Sequence, residues 1–369
     1  MKKRTLLLGL VGLSFVIVGC GGGGGSSDGG GSTPPPATEY YSVCVSKADS
    51  TSYSCLETCN DTTIDVGYYD SVDACTVAGD QWVSTFNHSD TPSTQEQKDG
   101  LVWINEIRRG TGLAEFQYNA KLEKATLAHE NYLGDVADNY NVNAGHYEDN
   151  ETYPSNYYTG REGTDRAIRA GYGGRYAGDV INFLNNNNTV VESLDGLMSA
   201  IYHRQALLWN NTNEIGIGGT ERKFDFKAQP HLMGIKADRE DYLRSISPVV
   251  VTYPFDGQTN VRKVFISESP DPLPNIDKPT GYPVSLDFNI YYVNSVEISY
   301  FKLYKEDGTE ITNTKLLDKE TDPNGRFTEY QFALFPLDVL DANATYRVEV
   351  GYVLNGESAV KEWSFTTRG

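Results

Sequence analysis

The chain carries five histidines, His88, His129, His146, His203 and His231, and imidazole is the side chain best suited to ligate a metal or move a proton near neutral pH. His203 stands in AIYHRQALLWN, residues 200–210, where a His-Arg pair interrupts what otherwise reads as the buried face of a helix. Ser199 lies four residues earlier, a spacing that puts both side chains on one helical face and suggests a nucleophile pair. No G-x-S-x-G elbow surrounds that serine, so the pair is not expected to act. His129 falls on a periodic apolar stripe and reads as structural. A lone histidine at a helix end is more often a cap or core residue than a ligand. His203 therefore acquires a chemical role only through its partners.

The other reactive set is Cys44, Cys55, Cys59 and Cys75, all within residues 40–85. Four thiolates can hold zinc, but the middle pair is C-x3-C and lacks the usual C-x2-C knuckle. An even count in an exported chain points to two disulfides, with three pairings open. Export is read from MKKR followed by the apolar TLLLGLVGLSFVIV, a charged start and a signal-length core too short to span a membrane comfortably. Ile17-Val18-Gly19-Cys20 resembles the bacterial lipobox, which implies a signal peptide over 1–19, a lipid on Cys20 and a membrane held through acyl chains. The tract GGGGGSSDGGGSTPPP then makes residues 20–39 a flexible tether that stiffens at its prolines. The net charge is −19, and removing residues 1–19 takes away Lys2, Lys3 and Arg4 and no acid. A chain this acidic repels nucleic acid and anionic membrane surfaces alike, so nucleic acid is excluded as a partner.

Further along, a helix is expected over 93–109, with Ser93 and Glu96 at capping-box spacing and Gly110 and Gly112 ending it. A second begins near Asn119, its stripe running through Leu122, Ala125, His129, Tyr132, Leu133 and Val136. A short helix over 164–170 closes at Gly171, and GRYAGDVINF follows as an extended segment before the loop at 185–188. Thr189 and Glu192 repeat the capping-box spacing and open one long helix through Val190, Val191, Leu194, Leu197, Met198 and Ile201, with His203 near its end. EIGIGG, KFDFKA and PHLMGI then read as strands. Helices first and antiparallel strands afterwards imply an α+β domain over 93–240, helices covering a sheet, with no phosphate-cradling glycine loop.

Residues 246–369 read as all-β. Val284, Leu286, Phe288 and Ile290 alternate inward, as do Tyr346, Val348, Val350 and Tyr352, and Asp307-Gly308 and Asn355-Gly356 are hairpin signals. LDANATYRVEV, with Leu340 and Tyr346, resembles the corner of fibronectin type III and bacterial Ig-like sandwiches, where a tyrosine hydroxyl bonds to upstream backbone. WSFTT resembles the last strand of such Ig-like domains. A spacer or adhesion module is the role this implies.

Residues 98–218 resemble the CAP superfamily (SCP/TAPS: cysteine-rich secretory, antigen 5 and pathogenesis-related 1 proteins). LVWINEIRRGTGLAEFQYNAKLEKATLAHEN is similar to its first two helices, AGHYED to the segment bearing its first cavity histidine, and DRAIRAGYGGRYAGDVI to its helix, glycine turn and Gly-Glu-Asn-Ile-like strand. LDGLMSAIYHRQALL followed by EIGIGG resembles the bacterial Gly-His-Arg and Glu-Ile-Gly-Ile-Gly pattern. The resemblance implies an α-β-α sandwich whose central cleft is lined by two histidines and two acids, the histidines able to hold Zn2+ or another divalent cation. Residue by residue, His146 and His203 match the histidines and Asp179 the first acid, here one methylene shorter than the usual glutamate. Leu197 replaces a tryptophan, and Ile201-Tyr202 replaces Pro-Gly, so a more helical backbone is expected there. Asp195 and Glu192 lie nearest to where the second acid is wanted, but neither falls on a motif position. Arg204 is expected to hold the helix end through a carboxylate or carbonyls.

Three functions follow from this. The first is a lipid-anchored binding module of the cell envelope, with a metal-capable cleft for a small-molecule, lipid or protein ligand. The second is a metal-dependent, peptidase-like hydrolase in which His146 and His203 hold the ion, bound water attacks and Asp179 acts as base. The third is adhesion or envelope maintenance through the outer modules, with the cleft vestigial.

Overall fold

The structure is a computed structural model and describes residues 39–48, 52–86, 90–174, 176–183, 188–219, 228–235 and 239–369. The signal segment, the tether to Thr38 with Cys20, His88, residues 185–187 of the asparagine loop and most of KFDFKA lie outside them.

At the N-terminal end β1 (Tyr41–Ser46), β2 (Tyr53–Leu56) and β3 (Thr63–Tyr69) form an antiparallel sheet of order β2-β1-β3, followed by α1 (Val72–Phe86). The four cysteines pair as Cys44–Cys59 and Cys55–Cys75, which resolves the pairing and leaves no thiolate for zinc. Such a small unit has little core of its own, and the disulfides offset that. Val43, Val45, Ile64 and Trp82 pack together with Tyr242 and Leu243, so the module is also covered by a helix from much later in the chain.

The next elements are α2 (Gln95–Thr111), β4 (Gln117–Tyr118), α3 (Ala120–Tyr140), α4 (Gly163–Arg169), β5 (Tyr176–Phe183), α5 (Val190–Ser199), α6 (Ile201–Leu207), β6 (Glu214–Ile217), β7 (Ala228–Ile235) and α7 (Glu240–Ile246). The first capping box is Thr94 with Gln97, one residue later than expected, because Thr94 has the extended backbone an N-cap requires. Gly112 ends α2 in the left-handed conformation. Asn119 caps α3, and its whole predicted stripe, His129 included, is buried. The sheet runs β4-β6-β7-β5, with β4 parallel to β6 and the other pairs antiparallel. Leu122, Ala125 and Ala167 from α3 and α4 pack on one face against Ala177 and Leu232. Ile104, Val190, Leu194 and Leu207 from α2, α5 and α6 pack with Val180, Ile215 and Met233 on the other. Helices thus cover both faces, an α-β-α arrangement. Gly216 lets α3 lie this close, since a Cβ there would come within 2.2 Å of Glu123 N.

The single long helix expected from Thr189 onward is two helices. The chain breaks at Ala200 (φ −83°, ψ 117°), so His203 sits in the first turn of α6 and not near the end of a long helix. A break frees backbone groups that must find partners. The Met198 carbonyl accepts from Arg204 Nε and from the Tyr282 hydroxyl, while the Tyr202 and His203 N–H groups donate to Glu268 Oε1. Tyr282 and Glu268 lie in the C-terminal part of the chain, so the local pattern of 189–204 could not reveal the break.

The rest of the chain is β8 (Val250–Tyr253), β9 (Gln258–Val261), β10 (Val264–Phe265), β11 (Thr280–Gly281), β12 (Val284–Phe288), β13 (Val296–Lys305), β14 (Thr314–Leu317), β15 (Gln331–Pro336), β16 (Thr345–Leu354) and β17 (Glu357–Thr367). Two four-stranded sheets, β14-β15-β12-β8 and β13-β16-β17-β9, enclose Leu286, Phe288, Leu334, Val348, Val350 and Trp363. Tyr346 Oη accepts a hydrogen bond from Asp341 N at 2.7 Å, the backbone contact expected of that corner. Asn355 and Gly356, both at positive φ, turn β16 into β17. Ile290 departs from the expected alternation: it lies beyond the end of β12 and is 45% exposed.

Candidate functional site

His146 is carried on the irregular segment after α3, and buried charges behind that segment hold it. Arg166 on α4 donates to the carbonyls of His146 and Arg161 and, at 3.1 Å, to Asp179 Oδ2. Gly163 makes this reach possible, because a Cβ there would stand 2.7 Å from the Ala177 carbonyl oxygen on β5. Asp179 presents its other oxygen to His146 Nδ1 at 3.3 Å. His129 lies deeper, its Nδ1 2.9 Å from Glu148 Oε1 and its Nε2 3.8 Å from Asp179 Oδ2. Glu148 also accepts from the backbone of Thr159 and Gly160, which fixes the loop. His129 is structural, as expected, but what it supports is the acid of the site.

Burial works against the charged form of Asp179. The hydrogen bond from His146, then Arg166 and His129, outweigh it and take the carboxyl below its ordinary value. For His129, burial is the largest influence and moves the imidazole downward, toward the neutral form.

His203 projects from the first turn of α6. Its ring centroid is 6.1 Å from that of His146, so the structure brings together the two histidines and the acid singled out in the sequence. Its Nδ1 meets Glu268 Oε1 at 2.6 Å, on a glutamate whose side chain is fully buried. Glu268 is the carboxylate sequence reasoning missed. Glu192 is spent on its capping box, and Asp195 pairs with Arg262 and Arg368. No local signal marks Glu268, which follows β10 in the C-terminal region. Arg166 and Glu148 were missed as well, although each stands inside a stretch that carries the family resemblance.

Arg204 points away from the cleft. It donates to the carbonyls of Met198 and Pro283 and to Ser285 Oγ, and lies over the rings of Tyr253 and Tyr282. The expectation of carbonyl partners holds. Ser199 donates to the Gly196 carbonyl at 2.6 Å and is 9% exposed, so its hydroxyl serves the end of α5.

The histidines open onto a cavity of about 740 Å3 between the α-β-α region and the C-terminal sheets. Trp209 and Tyr176, edge to face at 6.2 Å and each nearly half exposed, stand at its wall. Asp287 from β12 and Arg326 line the opposite side. Burial pushes the Asp287 carboxyl up to about 7, against the opposing pull of Gln331 and Arg204.

In each histidine Nδ1 faces a carboxylate, which places the proton of a neutral ring there and leaves Nε2 as the bare donor. That is the arrangement of a metal-ligating histidine with its supporting acid. The donor set is small, however: among the described residues no cluster of three or more His, Cys, Asp or Glu side chains is placed to hold an ion. Two imidazoles fit an open, water-completed site and not a closed structural one.

Residues 103–223 match the family model CAP, the cysteine-rich secretory protein family. Among solved structures, similarity is found to an extracellular protein containing a SCP domain from Bacillus anthracis str. Ames, at 22% identity and a TM-score of 0.29, covering 41% of this chain and 45% of that one. Similarity is also found to an outer surface protein from Borrelia burgdorferi, at 14% identity and a TM-score of 0.29, covering 41% of this chain and 99% of that one. The chain thus spans under half the length of the Bacillus structure. No curated protein matches it. Residues 103–223, the segment that builds most of the α-β-α region, are thus a CAP family match within the longer chain.

Proposed function

We propose that this CAP protein is an exported, lipid-anchored binding module of the bacterial cell envelope, whose cleft presents His146 and His203 to a ligand and takes a divalent cation such as Zn2+ between them. The observation that carries the reading is the pair of facing imidazoles, each with Nδ1 held by an acid. The two disulfides support an oxidising, extracytoplasmic location. The fibronectin-like or Ig-like C-terminal sheets hold and orient the cleft, and Cys20 carries the lipid anchor. Binding is preferred to hydrolysis because catalytic zinc ordinarily takes three protein ligands and two are present here. Ser199, four residues before His203, spends its hydroxyl on a backbone carbonyl.

Zinc titration by calorimetry tests the site. The wild-type protein is expected to bind one ion, and the double variant His146→Ala, His203→Ala to bind at least tenfold more weakly; equal affinity removes the metal reading. Chelator-sensitive cleavage of a peptide library by the wild type would replace binding with hydrolysis.

A further inference from the structure

We infer that the C-terminal sheets are a working half of the cleft, and that Glu268 is a positioning residue that fixes the tautomer and orientation of His203. The inference deepens the reading of the cleft as a two-histidine site, and its first test does not depend on that reading.

The two histidines are supported symmetrically in chemistry but not in origin. Asp179 holds His146 from within the α-β-α region, whereas Glu268 reaches His203 from a segment 65 residues further along the chain. A cap for α6 needs only the Tyr202 and His203 N–H groups, and Glu268 Oε1 accepts both, at 2.9 and 3.0 Å. The same oxygen makes its shortest contact, 2.6 Å, with the imidazole. The carboxylate is thus aimed at the ring as well as the helix end. Its second oxygen, Oε2, is buried with no hydrogen-bond partner among the described residues. A half-satisfied buried carboxylate is an expensive helix cap, and a serine or threonine would do that work more cheaply. Bound to a carboxylate through Nδ1, His203 keeps its proton there and offers Nε2 to whatever enters the cleft.

The register between the halves is held independently. The Tyr202 hydroxyl bonds Asp322 and accepts from Asn324 Nδ2, Arg204 enters the sheets beside Pro283 and Ser285, and Asp195 ties Arg262 and Arg368. Losing Glu268 should therefore free the ring without separating the regions.

The test is nitrogen-15 NMR of the imidazoles in the full chain at a pH where both rings are neutral. In the wild type, His203 is expected to show a protonated Nδ1 and a bare Nε2. Glu268→Ala should shift His203 to the tautomer mixture of a free imidazole and leave His146 as it was, while Glu268→Gln, whose amide oxygen still accepts, should restore the wild-type pattern. Should the alanine variant fail to fold, Glu268→Asp withdraws the oxygen by one methylene and is expected to loosen the ring in the same way. An unchanged His203 signature in a folded Ala or Asp variant overturns the inference. Zinc affinity is the second readout, expected to fall about 10- to 100-fold in Glu268→Ala and to recover in Glu268→Gln. If the wild type binds no zinc, the metal reading fails, yet the tautomer result still decides the role of Glu268.

Discussion

His146 and His203 face each other, but what stands behind them differs. His146 is 44% exposed on an irregular loop, backed by Asp179, Arg166, His129 and Glu148, all supplied between α3 and β5 and all buried or nearly so. His203 is 14% exposed on a short helix, backed by one carboxylate from the C-terminal region and anchored by a neighbouring arginine whose partners are neutral. One wall depends on paired charges from its own stretch of chain, His129 to Asp179. The other depends on groups lent by a neighbour.

The difference is sharpest in the two buried arginines. Arg166→Met leaves Asp179 and Glu148 buried without their cation, and breaking such a pair costs about 3–5 kcal/mol. Arg204→Met strips hydrogen bonds from carbonyls and a hydroxyl, and such losses cost about 1–3 kcal/mol. Urea unfolding of both variants checks the order. If Arg204→Met proves the more damaging, the second wall is not the weaker one.

The same contrast explains what could be read in the chain. The first wall is nearly contiguous: AGHYED contains both His146 and Glu148, and DRAIRAGYGGRYAGDVI contains both Arg166 and Asp179. Apolar periodicity placed α2, α3, β12 and β16, because each buries one regular face. The break at Ala200 was hidden because apolar spacing continues smoothly across it, and the groups that satisfy it come from residues 268 and 282. Glu268 was invisible for the same reason. Pairing between segments 65 or more residues apart leaves no periodic trace, and the disulfide partners were undetermined because spacing alone allows every pairing.

The pH response should also divide the molecule, with opposite signs. His231, buried on β7 of the α-β-α region, is lowered by burial to about 3, so its contribution is full above the unfolded value of about 6.5 and is lost as pH falls toward 3. Asp287, facing the cleft from β12, is raised to about 7, so its contribution is full below the unfolded value of about 3.9 and is lost as pH rises through 7. Each pH unit inside either window corresponds to about 1.4 kcal/mol, an upper figure for Asp287 because its side of the cavity admits water. Measured across pH 4 to 8, Asp287→Asn is expected to gain on the wild type as pH rises, by about 1–2 kcal/mol at neutrality. His231→Asn, whose amide oxygen can still accept from Gly218 N, is expected to lack the loss below pH 6.5. Parallel stability curves for wild type and both variants would mean that neither group titrates differently on folding.

The smallest effect expected is at Ser199, and it bears directly on which wall can do chemistry. Were the serine a nucleophile served by His203, the second wall would carry an activity the first lacks, and removing the hydroxyl would abolish it with little change in stability. The structure gives that hydroxyl another task. It donates to the Gly196 carbonyl in the last turn of α5, where an intrahelical N–H is missing, and the imidazole Nδ1 is already taken by Glu268. Ser199→Ala should accordingly cost about 0.5–1.5 kcal/mol, the worth of one ordinary hydrogen bond, and leave zinc affinity unchanged. Thermal unfolding beside the calorimetric titration separates the outcomes: a stable variant with altered ligand binding would place Ser199 in the cleft and end the view that His203 serves only to present its Nε2.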